Sequence, residues 1–371
     1  SLIHFRGGSH IGIARDNPTR DKKYLEKTVS SLLRLNVDKL ITIGGDDTAY
    51  SAYRLEQVSS GRIQVAHVPK TIDNDLDLPH GISTFGYQTA RHYGVEIVKN
   101  IMTDAKTTSR WYFVITMGRK AGHLALGIGK SAGATLTIIP EEFGEGKINL
   151  KYLVDTLVGA IIKRLSYGRQ DGVAIIAEGL LDKLDSDAFN HLVNIERDEH
   201  DNMRFAEINF GEILKFHVQE RLKEFGIKTT IVAKNIGYEL RCADPIPFDM
   251  EYCRDLGYMA AKFLFDGGNG AMISMQNNHF VPMYFKDILD PHTHKMRVRM
   301  VDTKSESYHI AYRYMIRFKK DDFEDPHEMA KYAATANVSL KEFEKQFGYL
   351  LSDEAKHVSG ENKAASKHKK K

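Results

Sequence analysis

Two short segments place carboxylates where phosphates could be handled: Gly44-Gly45-Asp46-Asp47-Thr48 and Pro69-Lys70-Thr71-Ile72-Asp73-Asn74-Asp75. Each follows an apolar run rich in β-branched residues, Lys39-Leu40-Ile41-Thr42-Ile43 and Ile63-Gln64-Val65-Ala66-His67-Val68, which predicts a buried strand. Both clusters therefore stand at carboxyl ends of strands. In an open α/β sheet that edge binds ligands, because the following helices aim free N–H groups and the positive ends of their dipoles at it. Gly44 and Gly45 permit close backbone approach to a phosphate, and Asp46, Asp47, Asp73 and Asp75 supply hard oxygen ligands and a candidate base. Either cluster alone reads equally well as a strand-ending turn, since Gly, Asp and Asn are common turn formers. Four carboxylates at one edge repel one another unless a cation or substrate offsets them. Together, with Lys70 between them, they point to phosphoryl transfer.

The elements that must position these residues alternate. Asp21 to Asn36 carries a helical stripe of Leu25, Val29, Leu32 and Leu33. The Leu40–Ile43 strand, a helix over Tyr50 to Val58 and the Val65 strand then form a βαβ unit, which implies a parallel sheet with right-handed crossovers. The pattern resumes with a helix over 87–104, a strand over 111–117, a helix from Ala121 and a strand over 134–139. A helix over 150–165 and a strand over 173–177 complete it. The fold class is thus α/β with two lobes, the active cleft being expected between them. A strand over 229–233, a helix over 250–265 returning to the first lobe, and helices over 327–336 and 340–351 are also expected.

Further polar groups fall at strand termini. Met117-Gly118-Arg119-Lys120-Ala121-Gly122 follows the Trp111 strand, so Arg119 suits an anionic ligand, while Arg110 stands at the strand's opposite end. If both arginines serve one substrate, Arg110 must serve a neighbouring subunit's site. Ala177-Glu178-Gly179 offers a carboxylate for sugar hydroxyls. Gly237-Tyr238-Glu239-Leu240-Arg241 offers a phenol and a guanidinium for a phosphate monoester. Taken singly, each of these also reads as solvated surface. Among the 16 histidines there is no HExxH pair, and no P-loop or GxSxG elbow occurs. His292 and His294 read as a surface loop.

The 371 residues, 42% hydrophobic, suffice for two lobes with sizeable cores. The net charge of +3 gives no electrostatic case for nucleic-acid or membrane partners, and much of the excess sits in the C-terminal run Ala364-Ala365-Ser366-Lys367-His368-Lys369-Lys370-Lys371, expected to be solvated and disordered. Cys242 and Cys253 are the two cysteines, which argues against a disulfide framework and for a reducing, cytoplasmic setting. No apolar run approaches the roughly 20 residues that span a bilayer, and no signal peptide is visible.

From about Gly7 to Gly270 the five motifs, in order, resemble the signature segments of 6-phosphofructokinases, and most closely the pyrophosphate-dependent branch. The resemblance implies two Rossmann-like three-layer lobes with mostly parallel sheets. Residues 1–85 with about 241–295 would form the phosphoryl-donor and Mg²⁺ lobe, and 86–240 the fructose 6-phosphate lobe. Residues 296–351 would add C-terminal helices and 352–371 the tail. It also implies a glycolytic reaction: Mg²⁺-dependent, reversible phosphorylation of the 1-hydroxyl of fructose 6-phosphate by pyrophosphate. Asp73 would be the base, Asp75 would assist, and Arg15 would contact the phosphates during transfer. Asp46 would hold the metal, while Gly45, Asp47, Lys70 and Thr71 would bind the donor. Met117, Gly118, Arg119, Glu178, Tyr238 and Arg241 would bind the sugar phosphate, with Arg110 reaching a neighbouring subunit of a homodimer or larger homo-oligomer. Lys234 matches a family basic residue loosely, with its spacing off.

In this resemblance Asp47 and Lys70 each replace a glycine usual in ATP-dependent enzymes. A carboxylate at position 47 would repel the α-phosphate of ATP, whereas the Lys70 ammonium can neutralise free pyrophosphate. Tyr238, where many ATP enzymes carry histidine, points the same way. Family members open with a strand and a Gly-Gly-x-x-Pro-Gly-x-Asn loop around the donor. The opening Ser1-Leu2-Ile3-His4-Phe5-Arg6-Gly7-Gly8 reads as lying downstream of both, so both are expected to be missing from this chain. Competing readings are an ATP-dependent phosphofructokinase, a non-catalytic regulatory subunit, and a lipid- or NAD-kinase relative. The last shares the Gly-Gly-Asp turn but leaves the Met117 and Tyr238 motifs unexplained.

Overall fold

The computed structural model describes residues 2–14, 16–184 and 209–352. Along the chain come α1 (Lys22–Arg34), β1 (Lys39–Gly44), α2 (Asp46–Ser59), β2 (Gln64–Pro69), α3 (Tyr87–Thr108) and β3 (Trp111–Thr116). Next are α4 (His123–Ala132), β4 (Leu136–Ile138), α5 (Leu150–Ser166), β5 (Gly172–Ala177), α6 (Leu180–Lys183), α7 (Phe210–Glu224) and β6 (Ile231–Ile236). Then follow α8 (Tyr238–Arg241), α9 (Pro247–Phe265), β7 (Ala271–Gln276), β8 (His279–Tyr284) and α10 (Phe285–Ile288). The last are α11 (Glu306–Tyr314), α12 (Lys320–Glu324), α13 (Pro326–Thr335) and α14 (Leu340–Phe347). The chain divides into two compact units, one containing 2–94 and 237–300, the other 95–184, 209–236 and 301–352.

In the first unit β1, β2, β7 and β8 form one sheet in that order, parallel except for β8. Successive residues of a strand face opposite sides of a sheet, and β2 shows the consequence. Val65 packs with Leu25, Val29, Leu55 and Phe285 on one face, and Ala66 and Val68 pack with Leu256, Met259 and Phe263 of α9 on the other. Helices thus cover both faces of β2, which accounts for its near-continuous apolar run. The β7–β8 hairpin is not legible as a hairpin in the periodicity. Its turn residues Asn277 and Asn278 have φ of 50° and 61°, the left-handed pair that a type I′ turn demands and that Asn tolerates.

In the second unit the sheet order is β4-β5-β3-β6, all parallel. Every residue of β5 is buried, as expected of an interior strand. The helices over 306–347 end in an aromatic cluster in which Phe318 contacts Phe323, Tyr332, Phe343 and Phe347. Arg317 pairs with Glu142 at 2.7 Å with both side chains buried, which fixes the approach to this cluster. The expected disordered tail lies outside the described residues from 353 onward.

Candidate functional site

Strand register brings the two acidic segments together. Gly44 pairs with Pro69, so β1 and β2 end level, and the Lys70 N–H donates to the Gly44 carbonyl at 2.9 Å. The chain turns from β1 into α2 with almost no connection. A Cβ on Gly44 would meet the Thr48 side chain at 2.3 Å, so the turn requires glycine at this close approach. Gly45 is the N-cap, and α2 begins at Asp46 rather than near Tyr50 as the sequence pattern suggested. The reason is electrostatic. Asp46 and Asp47 occupy the first turn, where the helix dipole stabilises a carboxylate by about 0.3–1 kcal/mol.

After β2, Lys70 bridges to Phe85, closing a loop of irregular backbone at its base. Inside the loop the Asp73 N–H donates to Thr71 Oγ1 at 3.1 Å, and Thr84 Oγ1 donates to the Thr71 carbonyl at 2.7 Å. Asn74 takes the left-handed conformation at φ 56°, and its Oδ1 accepts from the Thr84 N–H at 3.0 Å. Asp75 is buried. Burial, reinforced by the positive charge of Arg241, pushes the Lys70 ammonium below its ordinary pKa, with Asp73 pulling the other way. Lys70, Asp73 and Arg241 are therefore electrostatic neighbours in the first unit. Arg241 ends α8, its guanidinium 5.6 Å from the ring centroid of the exposed Tyr238.

The second unit holds the other predicted group. Thr116 of β3 is level with Ala177 of β5, and the Glu178 N–H donates to the Thr116 carbonyl at 3.0 Å. The Gly118 N–H in turn donates to Glu178 Oε1 at 3.0 Å, so the carboxylate also shapes the loop it was expected to share a ligand with. Gly118 has φ 130°, and a Cβ there would lie 2.7 Å from the Ala121 carbonyl oxygen, so glycine is required twice over. Met117 is buried and Arg119 half-buried. Arg110 stands before the first residue of β3, and six residues at about 3.3 Å each place roughly 20 Å of strand between it and Met117. Arg110 and Arg119 of one chain thus stand at opposite ends of β3. Arg15 lies outside the described residues.

Several residues that build this geometry were missed by sequence reasoning. Thr84 and Arg299 both hold Asn74. Asp249 accepts from the Gly86 N–H at 2.9 Å and from the Thr89 N–H and hydroxyl at 2.8 and 2.6 Å, fixing the start of α3. Glu141 Oε1 accepts from the N–H groups of Gly122 and Val301, both at 2.9 Å, and burial raises its pKa. The one local signal was Asn74, a residue type that favours the left-handed region.

Among the described residues no cluster of three or more His, Cys, Asp or Glu side chains forms a protein-only metal cage. The donors present still fit magnesium. It favours one or two carboxylates plus phosphate and water oxygens over an all-protein shell, and Asp46 and Asp47 in the first turn of α2 are carboxylates of that kind. No helix of the described residues is long and apolar enough to cross a membrane. Cys242 and Cys253 are both free thiols.

Comparison with known proteins identifies relatives of this chain. A pyrophosphate–fructose 6-phosphate 1-phosphotransferase of Naegleria fowleri is 48% identical over 360 residues, covering 95% of this chain and 82% of that protein. One of the same name from Thermotoga maritima is 48% identical over 352 residues, covering 94% of this chain and 84% of its own. The crystal structure of a pyrophosphate-dependent phosphofructokinase from Marinobacter aquaeolei superposes with a TM-score of 0.60 at 16% identity, covering 91% of this chain and 76% of that one, which speaks to the fold. Residues 1–264 match the family described as Phosphofructokinase, and the chain belongs to that family.

Proposed function

We propose that this chain is a pyrophosphate-dependent phosphofructokinase that reversibly moves one phosphoryl group between pyrophosphate and the 1-oxygen of fructose 6-phosphate. The observation that carries the reading is the level register of β1 and β2, which sets Asp46 and Asp47 beside the Lys70–Asp75 loop. The names of the relatives at 48% identity support the choice of pyrophosphate as donor.

In the forward direction Asp73 accepts the proton of the 1-hydroxyl as that oxygen bonds to the terminal phosphorus. The bridging P–O bond breaks, inorganic phosphate leaves, and fructose 1,6-bisphosphate forms. Asp75 assists as a neighbouring carboxylate. Asp46 would hold Mg²⁺, which when bound neutralises charge on the donor phosphates. Gly45, Asp47, Lys70 and Thr71 line the donor subsite, with Lys70 adding a cation and Asp47 disfavouring the longer ATP polyphosphate. Arg15 meets the transferring group. Met117, Gly118, Arg119, Glu178, Tyr238 and Arg241 recognise the sugar phosphate. Arg110 contributes to the site of an adjacent subunit, so the working enzyme is a homodimer or larger homo-oligomer, in a cytoplasmic setting.

The test is Mg²⁺-dependent formation of fructose 1,6-bisphosphate from fructose 6-phosphate, with pyrophosphate and ATP as parallel donors. Product with pyrophosphate alone is expected. Product with ATP alone overturns the donor assignment, and silence with both favours a regulatory subunit.

A further inference from the structure

The loop carrying Asp73 and Asp75 has little regular structure of its own, so its inward carbonyls need donors from elsewhere. One side chain supplies most of them. Arg299 Nη1 donates to the carbonyls of Leu78, Pro79 and Ile82 at 3.1, 3.2 and 2.7 Å. Its Nη2 donates to the Asn74 carbonyl at 3.0 Å and to Asn74 Oδ1 at 2.6 Å, and Nε reaches the same carbonyl at 3.3 Å. The Arg299 backbone N–H donates to the Asp75 carbonyl at 2.8 Å, next to an antiparallel bridge between Leu76 and Val298. On the loop's other side Thr84 holds Asn74 Oδ1 and the Thr71 carbonyl. Asn74, between the two acidic residues, is thereby gripped from both sides in a left-handed conformation.

We infer that Arg299, with Thr84 opposite it, is a positioning residue for phosphoryl transfer, clamping Asn74 so that Asp73 and Asp75 are aimed before substrate arrives. Only a planar guanidinium fits the task. Its fixed fork serves four carbonyls and an amide oxygen, whereas an ammonium is a point donor with three protons. Arg299 holds the loop through four carbonyls and the Asn74 amide oxygen, with its charge also facing Asp75, so the clamp acts on the aim of the acidic pair, while Thr84 additionally holds Thr71 of the donor subsite. This inference rests on the proposed reaction, since it concerns the rate at which Asp73 works.

Arg299→Lys and Thr84→Val are assayed with pyrophosphate, Mg²⁺ and fructose 6-phosphate, and amide exchange over residues 71–84 is followed in the same preparations. Misplacing a catalytic group by an ångström costs about a hundredfold, so kcat is expected to fall by that order in both variants with KM for fructose 6-phosphate near wild type. Amides of the loop should exchange faster while β2 and β7 keep wild-type rates, and Thr84→Ser, which keeps the hydroxyl, should restore kcat. Near-wild-type kcat in folded Arg299→Lys and Thr84→Val overturns the clamp, as does a rise in KM at constant kcat. Should Arg299→Lys not fold, Thr84→Val and Thr84→Ser decide alone. A wild-type chain that forms no product overturns the functional reading instead, and loop exchange then judges the clamp: unchanged protection in the variants refutes it.

Discussion

His67 is an imidazole buried inside the sheet of the first unit. It lies in β2 opposite Thr42 of β1 and Met272 of β7, wholly buried, with Nδ1 2.8 Å from Thr42 Oγ1 and Nε2 without a hydrogen-bond partner. Burial pushes its pKa down from 6.5 to about 4, the Gly44 carbonyl opposing weakly. Between these values the unfolded chain binds a proton that the folded chain refuses, so stability rises with pH across the window and is lost as pH falls from 6.5 toward about 4. A tenfold change in proton affinity is worth about 1.4 kcal/mol, so the gap amounts to about 3 kcal/mol, a sizeable share of the 5–15 kcal/mol typical of a domain. The comparison is wild type against His67→Leu, in which titrating carboxylates common to both cancel. Wild type is expected to lose about 3 kcal/mol more than the variant between neutral pH and pH 4. The probe matters. Trp111, the single tryptophan, belongs to β3 of the second unit, so amide exchange of β1 and β2 is the measurement that reads the first. Parallel pH dependences in the two proteins refute the reasoning. Since β2 runs directly into Lys70, activity should decay over the same window in wild type.

The remaining predictions bear on charge and anchoring. Asp47→Gly combined with Lys70→Gly should raise the rate with ATP and lower it with pyrophosphate, and a double variant with full pyrophosphate activity and no ATP activity refutes the donor assignment. Asp73→Ser should lower turnover by about 10²–10⁴-fold, as expected for loss of a general base, while calorimetric binding of fructose 6-phosphate stays near wild type. Weakened binding in parallel would make Asp73 a substrate-holding residue. Asp249→Ala strands the Gly86 and Thr89 N–H groups and frees the Thr89 hydroxyl. At about 1–3 kcal/mol for a stranded buried group, and less for the part-buried Gly86 N–H, the first unit should lose roughly 1–4 kcal/mol in a denaturant titration read by exchange over residues 86–94 and in α9, and no measurable loss would refute the anchoring role.

What the sequence made legible follows from distance along the chain. A strand end, its glycines and its acidic residues lie within a few positions of one another, so Gly44–Thr48 and Pro69–Asp75 are readable as chemistry before any fold is known. The alternation of helices and strands in the two sheets is readable for the same reason. The start of α2 is not. The sequence pattern reads Asp46 and Asp47 as turn residues, whereas acidic residues serve equally well in a helix's first turn, and nothing local decides between the two. The β7–β8 hairpin hides because its strands mix polar and apolar residues without clean alternation, leaving only Asn277-Asn278 as a signal.

The groups that hold the chemistry in place are not legible, and the cause is physical. Arg299 reaches Asn74 across 225 positions and Asp249 reaches Thr89 across 160, and each belongs to a residue type that is ordinarily solvated. Their roles exist only once β7 has paired with β2 and brought 237–300 back against the start of the chain. Motifs report which reaction is possible, because they record the atoms that touch substrate. Rate depends also on how firmly those atoms are aimed, and that is written in distant donors to backbone carbonyls. A chain could therefore retain each motif from Gly44 to Arg241 and, with Arg299 exchanged for lysine, turn over slowly while binding fructose 6-phosphate normally. Motif matching alone would score that chain as intact, whereas a count of donors to the Asn74 and Ile82 carbonyls would not.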